Sequence, residues 1–140
     1  MPANSPALDI ATILQTNGLG TLGTDIFVGR EPETPDQVIT IYDTPGIAPN
    51  AKYLRDEPTV QCRTRGRPDT YGETWILAQQ IKDTLLGLAP QLIGGLSNYV
   101  LFVQIADISG AAGDSLNRPV LISNWQLVRE LSSGGNRISL

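Results

Sequence analysis

The chain predicts an α/β (α+β) domain, a mainly antiparallel sheet packed by two helices in the order α-β-β-β-α-β-β. Three stretches carry that expectation. From Pro58 to Gly66 the side chains alternate with a period of two, as in a half-buried strand, and a long amphipathic helix follows at once. Tyr99 to Ala106 is apolar enough to be a central strand. Pro119 to Leu131 alternates around Leu121, Ser123, Trp125, Leu127 and Arg129, as a last strand should.

Each element has its local reason. Ser5-Pro6 opens the first helix as N-cap and first helical residue. Ala7, Ile10, Ala11 and Leu14 mark one face, and Asn17-Gly18 supplies a left-handed stop. Asp25 to Gly29 reads as a short strand, Glu31 to Pro35 as a turn, and Gln37 to Tyr42 as a second strand. Asp43 to Glu57, with Pro45, Gly46 and Pro49, shows no periodicity and reads as a long loop. The next helix starts at a capping box of Thr70 and Glu73 and continues to Leu88. Its apolar stripe is Trp75, Ala78, Ile81, Leu85 and Leu88, with Gln79, Lys82 and Asp83 facing away. A Gly- and Ser-rich loop spans Ser109 to Asn117. The 140 residues make a single domain, 1–140, in which 1–5 and 132–140 are expected to be flexible extensions.

Composition narrows the function. There is no histidine, so the commonest general base and the His-ligated metals are missing; the chain is read as no enzyme, with no cofactor and no metal. A net charge of −4 offers nucleic acid no general attraction. Apolar runs are too short for a membrane span, and the start lacks the features of a signal peptide. Cys62 is the only cysteine, points inward with Val60, and reads as a buried structural thiol.

Two motifs fail on context. Gly18-Leu-Gly-Thr-Leu-Gly23 matches the dinucleotide-binding glycine pattern, but a helix precedes it and a strand follows, the reverse of what the pyrophosphate needs. Asp43-Thr-Pro-Gly46 is like a GTPase magnesium-side motif, yet no phosphate-cradling Gly-x-x-x-x-Gly-Lys loop accompanies it. Asp107 and Asp114 read as turn residues. Arg63, Arg65 and Arg67 share one face opposite Val60, Cys62 and Thr64; their mutual repulsion calls for acidic partners. Those partners are Asp56, Glu57 or Glu130 of this chain, or carboxylates of a neighbouring subunit, in preference to DNA phosphate. Trp125 is core or interface. The two long loops look like arms on a small core, with Tyr53 and Leu54 placed to bury themselves on another subunit.

Val60-Gln-Cys-Arg-Thr-Arg-Gly66, Asp69-Thr-Tyr with the helix behind it, and Ser109-Gly-Ala-Ala-Gly-Asp-Ser-Leu-Asn-Arg118 leading into a final strand form a combination. Over about Asp36 to Leu131 it resembles the minor capsid and tail-terminator (tail-completion) proteins of long-tailed bacteriophages. The resemblance implies a virion structural protein of the tail-neck region, made in the host cytoplasm and assembled into a hexameric ring. That ring would cap the tail tube protein and dock onto the head connector or stopper, while DNA passes through the lumen without specific binding. Tyr53, Leu54, Arg63, Arg65 and Trp125 are the residues expected at subunit or partner interfaces. The competing expectations are a head-completion adaptor of the same virion, a small carboxylate-dependent hydrolase, and a generic binding module.

Overall fold

The computed structural model describes residues 3–111 and 113–139. In chain order its elements are α1 (Pro6–Thr16), β1 (Ile26–Val28), β2 (Val38–Ile47), β3 (Arg55–Arg65), α2 (Tyr71–Leu85), β4 (Gln91–Ile93), β5 (Ser97–Gln104), β6 (Ser109–Ala111) and β7 (Val120–Leu131). This is the anticipated α+β order with two short strands, β4 and β6, added. The strands form one sheet in the order β1-β2-β3-β7-β5-β4, with β6 beside β7. Among the described strands β1 and β2 run parallel, and the other paired strands are antiparallel.

Residues paired across a ladder share a face, so the register sorts the side chains. Ile41, Cys62 and Ser123 fall on one face with Val60, Trp125, Leu127, Tyr99 and Phe102. Both helices cover that face: Ile10, Ala11 and Leu14 of α1 and Ile81 and Leu85 of α2 join these residues in one apolar cluster. The Cys62 thiol is buried there and pushed up to about 12 by that burial, with a bond to Ser123 opposing, so it is inert at neutral pH.

The start of α1 forms as its sequence dictates. Ser5 Oγ accepts the Leu8 N–H at 3.2 Å, and Asn17 with Gly18 (φ 79°) ends the helix. A second cap comes from the sheet: Asp43 Oδ1 accepts the Ala7 N–H at 2.9 Å. The aspartate of the GTPase-like motif therefore holds a helix N-terminus, where a carboxylate is electrostatically favoured.

Several expectations are corrected. Asp43 to Glu57 is mostly strand, because β2 runs on to Ile47 and β3 begins at Arg55. Pro45 and Gly46 are accommodated at a bulge between Thr44 and Ile47, where a missing donor breaks no regular ladder. Gly46 is needed there, since a Cβ would collide with the Glu57 carbonyl. The capping box does not form. Thr70 Oγ1 instead donates to the Arg67 carbonyl at 2.7 Å, and Glu73 pairs with Arg67. The buried stripe of α2 is Thr74, Ala78, Ile81 and Leu85, which leaves Trp75 on the rim, and the helix ends at Leu85 rather than Leu88. Gly66 explains the rotation: it approaches so closely that Thr74 Oγ1 occupies the space of its missing Cβ. β5 is not central. Among the described strands its outer neighbour is β4, which pairs with Ser97 to Tyr99 and no further. The segment after Leu131 lies against the chain: Ile138 bridges Tyr53, with Leu54 N–H donating to the Ile138 carbonyl at 2.8 Å.

Candidate functional site

Of the five residues expected at interfaces, Trp125, Arg65 and Leu54 are buried within the chain at 0%, 2% and 2% exposure. They have no surface to offer a partner in this conformation, because each is consumed by the fold. Trp125 lies under both helices as part of the main core, its Nε1 donating to Ser123 Oγ at 3.1 Å. Leu54 is held against the returning C-terminal segment, its N–H donating to the Ile138 carbonyl and its carbonyl accepting from the Leu131 N–H at 3.0 Å.

Arg63 and Arg65 meet the carboxylate their repulsion demands, though not one of those foreseen. Glu31 accepts from Arg63 Nε at 2.8 Å and from Arg65 Nη1 at 3.2 Å. Arg65 also donates to the carbonyls of Asp36 (2.9 Å), Pro35 (2.8 Å) and Glu33 (3.3 Å). Arg118 grips the same loop through the Glu33 carbonyl at 2.8 Å, while its Nε pairs with Asp114 at 2.7 Å. Partial burial pushes Asp114 upward, but the backbone N–H and guanidinium of Arg118 prevail and hold it below the ordinary carboxylate range. These arginines fasten residues 31–36 over the sheet face opposite the helices. Sequence signalled the need for a partner but not its place, since the carbonyls that accept carry no side-chain identity.

The polar groups inside the core offer no chemistry to an outside molecule. The Tyr99 hydroxyl donates to Asp9 Oδ2 at 2.6 Å, and both residues are 0% exposed. Burial raises the Asp9 pKa, the Tyr99 bond opposing; burial and the Asp9 carboxylate raise that of Tyr99. The pair latches α1 to β5, with no opening to a substrate. Asp107 accepts the Ile108 N–H and the Lys82 ammonium, and is held low by those bonds, as befits a turn residue. Among the described residues no three carboxylate or cysteine side chains converge as metal ligands. Two open grooves flank β4, of about 250 Å³ and 180 Å³, and neither gathers more than one ionisable side chain.

What the surface does present is apolar, in three places. On the face away from the helices, Leu92, Leu101, Val103 and Ile105 are 60%, 50%, 39% and 56% exposed along β4, β5 and the turn beyond. The outer side of α2 shows Tyr71, Trp75 and Ile76. The β2–β3 tip, with the returning C-terminal segment, shows Ile47, Tyr53 and Ile138. Of these only Tyr53 was anticipated. A signal for the first was available: Tyr99 to Ala106 is apolar on both faces, and a strand so built needs cover on both.

The fold and these surfaces define a class: a small α+β domain that carries exposed apolar side chains on a sheet face, on a helix and at a hairpin tip. The chain belongs to the bacteriophage tail terminator protein family, whose model matches residues 13–123. It is accordingly a structural protein of the phage virion tail. Among solved structures, one superposes with a TM-score of 0.55 at 12% identity over 91% of each chain, a likeness in fold alone. No curated protein matches. No helix among the described residues is long and apolar enough to cross a membrane.

Proposed function

We propose that this chain forms a closed ring, of six subunits in the reading its family suggests, that caps the tail tube and joins it to the head connector. The supporting observation is the uncovered ladder of Leu92, Leu101, Val103 and Ile105 in a member of the tail terminator family. Isolated apolar side chains are normal on protein surfaces, whereas four along adjoining segments on one sheet face mark a contact area. The ladder meets the neighbouring ring of tube subunits. Function is then geometric: one face of the ring matches the last tube ring, the other matches the stopper, and no bond is made or broken. The net charge of −4 keeps phosphate from being retained as DNA crosses the lumen without specific contacts. Ring and partners place the protein in the tail-neck region.

Negative-stain images of the purified chain, alone and with its tube protein, test this reading. Uniform six-fold rings seated on tube ends are expected. Twelve-fold rings would assign the chain to the head connector instead. Replacing Leu101 and Val103 by Glu should leave the fold intact by circular dichroism but abolish seating on tubes. Normal capping by that variant removes the ladder from the proposal.

A further inference from the structure

The two grooves beside β4 share Leu92, an end residue of the apolar ladder, and differ in charge. The larger lies between α1 and β4, and among the described residues no ionisable side chain lines it. The other, of about 180 Å³, has Leu92, Leu96 and Leu131 as apolar walls and Asn98, Glu130 and Ser132 as polar ones. It is too small for a cofactor and takes a single long side chain.

Glu130 is the informative residue. The register sets Arg55, Glu130, Asn98 and Leu92 in one row across β3, β7, β5 and β4, so the four share the face opposite the helices. Arg55 stands directly opposite Glu130 with the complementary charge, an arrangement that favours an ion pair. No ion pair joins them, and Glu130 has no other cationic partner among the described residues. Its side chain lines the groove instead, beside the acceptor oxygens of the Asn98 amide and the Ser132 hydroxyl. An unpaired carboxylate among acceptors, at the end of leucine walls, suits a cation on an aliphatic stem.

We infer that this groove receives a lysine or arginine side chain of the tube subunit that the ladder meets. The inference rests on the proposed seating on the tube and adds the charged part of that contact. Leu92 belongs both to the ladder and to the groove wall, so a subunit lying along Leu101 and Val103 reaches Glu130 within one continuous interface. The two parts do different work. Apolar contact is non-directional and leaves the orientation of the partner open. One charge contact at the end of the ladder fixes which way round the tube subunit seats.

Two single variants of the full chain test it, Glu130→Gln and Arg55→Gln. Glu130→Gln should keep the wild-type urea midpoint, since no ion pair within the chain is lost. It should weaken seating on purified tube ends about tenfold at roughly 50 mM salt, a deficit that shrinks as added salt screens the charge. Arg55→Gln should not weaken seating, because it removes a like charge from beside the incoming cation. Seating by Glu130→Gln equal to wild type at every salt overturns the inference and leaves the ladder, tested by Leu101→Glu with Val103→Glu, standing. Equal weakening by Arg55→Gln, or a lowered urea midpoint for Glu130→Gln, shows that Glu130 serves its own chain and overturns it too. Loss of rings by Glu130→Gln with no tube protein present gives the cation to a second copy and overturns the assignment to the tube. A wild-type chain that does not seat on tube ends removes both the groove contact and the reading beneath it.

Discussion

The two faces of the sheet are stabilised by different physics. The helix-covered face is an apolar core in which Trp125, Tyr99, Ile41 and Val60 are fully buried beneath Ile10, Leu14, Ile81 and Leu85. The opposite face has two unlike halves. Near β2 and β3, arginines hold a loop by its carbonyls; near β5 and β4, apolar side chains stand bare. The difference teaches where periodicity is informative. A face buried against helices needs apolar groups at regular spacing, and that spacing is written in the chain. A face closed by a loop needs only donors aimed at backbone oxygen, and backbone oxygen is the same at every residue.

Breaking the apolar face should have the larger effect. Trp125→Ala is expected to remove about 3–5 kcal/mol of stability, since it deletes a large side chain that is fully buried, and urea unfolding measures it. A loss below about 1 kcal/mol would show that Trp125 is less enclosed than the structure places it. On the other face, Arg65→Ala should lower stability by about 3 kcal/mol, because the Asp36 and Pro35 carbonyls lose their donor while Glu31 and the Glu33 carbonyl keep only Arg63 and Arg118. Arg65→Lys should recover little of it, as an ammonium cannot span those acceptors in one plane. Full recovery would mean that charge alone secures the loop.

The joint between strand and helix separates packing from propensity. Gly66→Ala is expected to destabilise by about 2 kcal/mol because the new methyl meets Thr74 Oγ1, although alanine is the better residue by propensity. Thr74→Ala in the same chain should restore part of that loss. If the two substitutions simply add, the close approach is not the cause.

The smallest expected effect is the most specific. Burial raises the Asp9 pKa above its ordinary 3.8, so the folded state holds that proton more tightly than the unfolded chain does. Asp9 therefore favours folding at low pH, and its contribution is lost as pH rises through the raised value. Asp9→Asn keeps an acceptor for the Tyr99 hydroxyl and removes the titration. Relative to wild type it should gain stability steadily from pH 3.8 upward, reaching a plateau beyond the raised pKa. A gap between the two chains that is independent of pH would show that Asp9 does not titrate differently on folding.

Legibility followed the same division at the level of single residues. Cys62 and Val60 turn inward as their alternation foretold, and Ser5 caps its helix. Thr70 and Glu73 have the letters of a capping box, but Arg67 supplies each with a competing partner, so the box does not form. Trp75 and Ile76 are adjacent and apolar, and on a helix two neighbours about 100° apart cannot both sit at the centre of one buried stripe. That adjacency was the available sign of an exposed contact surface. Nothing comparable marked Glu31 as the partner of two arginines more than thirty residues away.

The amino-acid order alone determined the number and sequence of the main elements, which strand residues turn inward, and the absence of histidine chemistry, because each depends on near neighbours or on composition. Three-dimensional packing decided that Arg65, Leu54 and Trp125 serve the interior, that Asp43 caps a helix from across the sheet, and that β5 keeps one face bare. Those outcomes depend on which distant segment arrives to cover a given side chain, and local spacing holds no record of that.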